Sequence, residues 1–117
     1  MDTRVTVYHN PSCSHSRGAL ELLKGRGVEF DIIEYLKTPP TRPALEEIIG
    51  MLATPAEELV RKDKRFDELK LNAADYTTKE KVVEILLQHP ELMQRPIVIR
   101  NGHALIARPA EKLAALF

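Results

Sequence analysis

The sequence predicts an α/β fold with a mixed sheet, ordered βαβ then ββα, with a helical insert between the two halves. Three observations lead there. A strand, a helix and a second strand follow one another in residues 4–35, an order that makes the first two strands parallel. An Asn-Gly pair at residues 101–102 separates two short apolar runs, the signal of an antiparallel hairpin. Between these halves lie several stretches that open with Thr or Pro and continue with helical spacing. One domain spanning 1–117 is expected, with the insert at about 37–90.

Each element has a local reason. "RVTVYH" (4–9) alternates β-branched and polar residues and reads as a strand. "NPS" ends it, because proline cannot continue the ladder and Asn-Pro favours a turn. "SHSRGALELLKGRG" reads as a helix, with Ala19, Leu20, Leu22 and Leu23 on one side and Gly25 and Gly27 as stop signals. "VEFDIIEY" (28–35) is the second strand. In the insert, Thr41 is expected to cap one helix, with Pro43 tolerated early in it. Thr54 and Pro55 repeat that grammar before "AEELVRK", with acids in the first turn. "DKRFDELKL" reads as a short helical turn. "TTKEKVVEILLQHP" (77–90) is amphipathic, with Val82, Val83, Ile85 and Leu86 apolar and a Thr pair at its start. "RPIVIRN" and "HALIARP" are the hairpin strands, and "RPAEKLAALF" is expected to close as a helix.

Bulk composition narrows the functional classes. With 117 residues, the chain can bury one real core. At 44% hydrophobic and 29% charged, it belongs with globular rather than disordered chains. Lys plus Arg and Asp plus Glu are 17 each, so no net positive field points to nucleic acid. No apolar run approaches the roughly 20 residues that cross a bilayer, so no membrane role is expected. One cysteine and no export signal imply a reducing cytoplasm.

That single cysteine, Cys13, stands between the turn and the first helix. Unpaired amides at a helix start carry about half a positive charge and favour thiolate over thiol. His9 and Arg17 flank Cys13 in sequence, and Ser14 and Ser16 add hydroxyls. A free cysteine can be a small buried apolar filler; a polar, turn-flanked helix start suits a reactive thiol better. His15, His89 and His103 show no metal-ligand spacing with one another or with Cys13, so no metal site is expected. Gly25 and Gly27 follow a helix instead of opening one, which rejects a dinucleotide loop.

"HNPSC" followed by "SR" resembles the signature of the thioredoxin-fold arsenate reductases, the ArsC family, in the class that works with glutathione and glutaredoxin. "LVRKDKRFDEL" (59–69), "QHPELMQRPIVIR" (88–100) and "ALIARP" (104–109) are similar to three further family segments. Four blocks in the family's order cover nearly the whole chain, and the resemblance is to its short-chain members. It implies a thioredoxin-like fold, Cys13 as nucleophile and His9 as the histidine that helps lower its pKa. Arg61, Arg95 and Arg108 would bind the oxyanion, and Pro96 would be the cis-proline beside the site. Ser16 and Arg17 would support it. Glutathione would be the co-substrate with no tightly bound cofactor, and glutaredoxin the protein partner.

The residues agree with that chemistry. Arginine offers a planar fork of N–H donors with permanent charge, suited to a tetrahedral oxyanion. Thiolate attack on an anion meets like-charge repulsion of about 4 kcal/mol per unit pair at ~4 Å in an effective dielectric near 20. An arginine taken singly is more often a solvated surface charge. Two other readings share the fold. Regulators resembling Spx bind RNA polymerase and sense oxidation through a Cys-x-x-Cys pair; here that pair is Cys13 and Ser16, so no internal disulfide can form. A thiol oxidoreductase acting on glutathionylated substrates would have no oxyanion for three arginines to cradle.

Overall fold

Val5–His9 forms strand β1, the centre from which the sheet is assembled. The computed structural model describes residues 4–117, in two units: the chain up to Thr38 together with Arg95–Phe117, and Pro39–Gln94. In the first unit, helix α1 spans Ser14–Gly25 and strand β2 spans Phe30–Glu34. The hairpin strands are β3, Ile97–Arg100, and β4, His103–Ile106. The sheet order is β2-β1-β3-β4. β1 runs parallel to β2 and antiparallel to β3, so Val7 lies between Ile32 and Val98. The hairpin turn holds Asn101 and Gly102 at φ 51° and 76°, the double left-handed conformation that two-residue hairpin loops require.

One face of this sheet carries the unit's core. Val5, Val7 and Val98 pack with Ala19 and Leu23 of α1, and with Ala107 and Leu113. Leu22 falls on the other side of α1 and is 40% exposed, because the buried residues Ser16, Ala19 and Leu23 follow the three-to-four residue spacing of one helical face. The closing segment is a 3-10 helix, Ala110–Leu116, where an α-helix was expected. The tighter winding brings residues three apart into line, and Ala110, Leu113 and Leu116 all join the core.

The second unit is helical. α2 spans Arg42–Met51, with Thr41 Oγ1 accepting from the Ala44 amide at 3.3 Å and Pro43 in the first turn. α3 is the short Lys64–Glu68, capped by Asp63. α4 spans Lys79–Gln88, with Thr78 accepting from the Lys81 amide at 3.3 Å. Leu45, Ile48, Val82, Val83, Ile85 and Leu86 are buried. Thr54 does not act as the cap expected of it. The following segment is only a four-residue 3-10 turn, Ala56–Leu59, whose preceding residue is Pro55 and which has no side-chain cap. The chain straightens at Val60, where the Arg61 amide donates to Leu92 O at 2.7 Å and the Gln94 amide donates to Leu59 O at 2.8 Å. That bridge of Val60 with Met93 needs extended backbone, and a longer helix would break it.

Candidate active site

The turn between β1 and α1 is organised by one side chain, Asn10. Its Oδ1 accepts from the Ser12 amide at 3.0 Å, its carbonyl accepts from the Cys13 amide at 3.0 Å, and its own amide donates to Ser16 Oγ at 3.4 Å. Asn before Pro favours this fold-back because its short side chain can bond the backbone two residues on. Cys13 is thereby set as the residue that caps α1, in extended conformation, with its sulfur facing the free amides of the first turn.

Three kinds of group act on that sulfur. Burial works against the thiolate. The Ser16 amide, the Arg95 guanidinium and the His15 amide outweigh it, and the Cys13 pKa falls from 9.0 to about 7. Arg108 adds a second guanidinium: its Nη1 approaches Cys13 Sγ at 3.9 Å and donates to Arg95 O at 3.3 Å. Two cations from the far end of the sequence therefore meet a half-ionised thiol at a helix start. Such a grouping can hold a thiolate, receive an oxyanion and stabilise charge during attack.

The other predicted residues divide. The Arg95–Pro96 peptide bond is cis, as is Arg108–Pro109. Ser16 lies at the sulfur through its backbone amide, while its hydroxyl oxygen accepts from the Asn10 amide. His9 is buried at the end of β1. Burial pushes its pKa below the ordinary imidazole value, Glu34 opposes this and Arg17 adds to it. Arg17 therefore acts on His9 by charge. The groups that act on the sulfur are Arg95, Arg108 and the His15 and Ser16 amides. Arg61 belongs to the second unit, with its Nε 3.4 Å from Asp63 Oδ2. A groove in that same unit, lined by Asp75, Tyr76, Lys81, Glu84, Ile85 and Gln88, holds none of the predicted residues. Among the described residues no cluster of three or more His, Cys, Asp or Glu could hold a metal.

Two residues escaped the sequence reading. Asn10 was legible as a turn former but not as the organiser of the loop. Tyr35, the last residue of the strand expected over 28–35, follows β2 directly and is buried, with Asn10 and Arg95 among the groups that act on its hydroxyl. The parallel ladder pairs His9 with Glu34, so the chains leave β1 and β2 side by side. A tyrosine just after the strand parallel to the cysteine-bearing one is the signal that was available.

The ArsC family model matches residues 8–116. The chain belongs to the ArsC family. It is 40% identical to an arsenate reductase of Escherichia coli K12 over 110 residues, 93% of this chain and 77% of that protein. It is 41% identical over 115 residues to the uncharacterized E. coli protein YfgD, covering 97% of this chain and 96% of that one. A solved arsenate reductase from Vibrio cholerae superposes with a TM-score of 0.87 at 32% identity, over 100% of both chains. The fold is accordingly the thioredoxin-like one of ArsC proteins, and the sheet, the cis-proline and the cysteine at the start of α1 are its framework in this chain.

Proposed function

We propose that this ArsC protein reduces arsenate to arsenite through Cys13, with glutathione and glutaredoxin as external thiols. The observation that carries the proposal is the convergence of Arg95 and Arg108 on a thiol whose pKa has fallen to about 7. Arsenate is the substrate named for several relatives, and a tetrahedral oxyanion suits two guanidiniums and a helix start. Arg61 is assigned to the same oxyanion through the family motif.

In the first step the Cys13 thiolate bonds to arsenic and an arsenate oxygen leaves as hydroxide or water. Glutathione then supplies the second sulfur. Cys13 and glutathione are oxidised together to a mixed disulfide, and their two electrons take arsenic from +5 to +3, releasing arsenite. Glutaredoxin thiolate attacks the glutathione sulfur and returns Cys13 to the thiolate. With Ser16 at the position where a Cys-x-x-Cys pair would hold its second sulfur, resolution is left to an outside thiol. A coupled assay with glutathione, glutathione reductase and glutaredoxin tests the reading. Arsenate-dependent NADPH consumption is expected for the wild type and only background for Cys13→Ser. No arsenate dependence in the wild type rejects the function, and equal rates remove Cys13 from the mechanism.

A further inference from the structure

The turn that carries Arg61 is fastened at both ends to the same short segment, Pro90–Leu92. At its start the Arg61 amide donates to Leu92 O at 2.7 Å. At its end Arg65 Nε donates to Glu91 Oε2 at 3.0 Å, and His89 Nδ1 lies 3.1 Å from that same oxygen. Lys62 folds back along the chain, its ammonium donating to Glu57 O at 2.8 Å and Val60 O at 3.3 Å. Between the two fastenings stands Asp63, whose two oxygens have separate tasks. Oδ1 accepts from the Phe66 amide at 3.4 Å and caps α3, while Oδ2 lies 3.4 Å from Arg61 Nε. The Arg61 side chain is only 17% exposed, which sets this pair apart from the solvated surface pairs that contribute little. Capping needs a single oxygen. The second oxygen is what Asp63 has beyond a serine cap.

We propose that Asp63 is a positioning residue for Arg61, its Oδ2 fixing the direction of the guanidinium fork that takes the oxyanion. The inference rests on Arg61 serving the oxyanion, and it deepens that reading by naming the group that presents Arg61. A contact at Nε, the guanidinium nitrogen nearest the backbone, sets the plane of the fork whose end bears Nη1 and Nη2. A carboxylate near an anion site also acts in the opposite sense, because its charge repels the anion. Removing it therefore has a diagnostic sign. Lost orientation weakens anion binding, and lost repulsion tightens it. Because the backbone on both sides of Asp63 is pinned, its carboxylate holds the fork in one direction before the anion arrives. Preorganisation of that kind raises affinity.

Asp63→Ser keeps a capping oxygen for the Phe66 amide and removes the one that meets Arg61. Arsenate is titrated calorimetrically in the Cys13→Ser background, where no bond to sulfur can form. Asp63→Ser is expected to weaken arsenate binding roughly threefold or more and to leave the melting temperature in place. Unchanged or tighter binding overturns the proposal. Arg61→Ala supplies a second background, since a group acting through Arg61 loses most of its effect when Arg61 is gone. An equal Asp63→Ser effect with and without Arg61 overturns the link between them. Nitrogen NMR relaxation of the Arg61 Nε–H gives a readout free of arsenate. That group is expected to be rigid in the wild type and mobile in Asp63→Ser, and equal mobility overturns the proposal. Arsenate that binds without being reduced rejects the reductase activity and leaves this proposal standing. No arsenate binding in the Cys13→Ser protein overturns the oxyanion reading and this proposal together.

Discussion

Cys13 works through a balance of burial against local donors. Burial favours the neutral thiol, and the first-turn amides and Arg95 reverse that preference. Alkylation of Cys13 by iodoacetamide should therefore rise through a midpoint near pH 7, not near the ordinary thiol value. Arg95→Ala should move the midpoint upward, because it deletes both a hydrogen bond and a positive charge. Arg17→Ala should leave it in place, since the groups acting on the sulfur are Arg95, Arg108 and the Ser16 and His15 amides. Mass-spectrometric rates across a pH series distinguish the three proteins. An unmoved midpoint in Arg95→Ala would show that the amides and Arg108 hold the thiolate without Arg95.

Elements are fixed by their ends as much as by their faces. Thr78 accepts an amide of α4, whereas Thr54 makes no capping bond. Thr78→Ala should lower unfolding stability by about 1 kcal/mol, and Thr54→Ala should stay within about 0.5 kcal/mol, both read from urea midpoints. The closing 3-10 segment is fastened differently. The Phe117 ring lies 4.4 Å from the Arg100 guanidinium and 4.8 Å from that of Arg26, and Arg100 also donates to Leu116 O. Phe117→Leu keeps apolar bulk but removes the ring, and should cost about 1 kcal/mol in the same measurement. A loss indistinguishable from zero would mean that the packing of Leu113 and Leu116 and the Arg100 bond to Leu116 O hold the segment without the ring.

For the molecule as a whole, the thiol couples stability to pH. In the unfolded chain the thiol titrates near 9.0, and in the fold near 7. Between those values the unfolded state binds more protons, so the stability of the wild type should rise with pH relative to Cys13→Ser. The gain is fully present above pH 9 and is lost as pH falls through about 7. Parallel urea titrations of the two proteins across that window check the sign. A difference that stays flat or reverses would mean the fold does not favour thiolate. Packing sets a larger scale. Val7, central in the sheet and fully buried, should cost roughly 2 kcal/mol when cut to Ala. Ile32, on edge strand β2 and 47% exposed, should cost less than about 1 kcal/mol.

By itself, the sequence determined what lies within a few residues. Asn-Pro stops β1, Thr41 and Thr78 cap their helices, Asn-Gly turns the hairpin, and Cys13 stands at a helix start. These features follow from dihedral preferences and side-chain bonds that act between near neighbours. Local signals failed where distant partners had the stronger claim. Thr54 lost its helix to the bridge between Val60 and Met93, and the closing helix wound tighter to bring three apolar residues onto the core. Only the tertiary structure decided that Arg108 meets the Cys13 sulfur from 95 residues away, and that His9 and Tyr35 are buried. The physical reason is that sheet order and register, set by burial over the whole unit, choose which strand ends become neighbours. No residue's own preference encodes that choice.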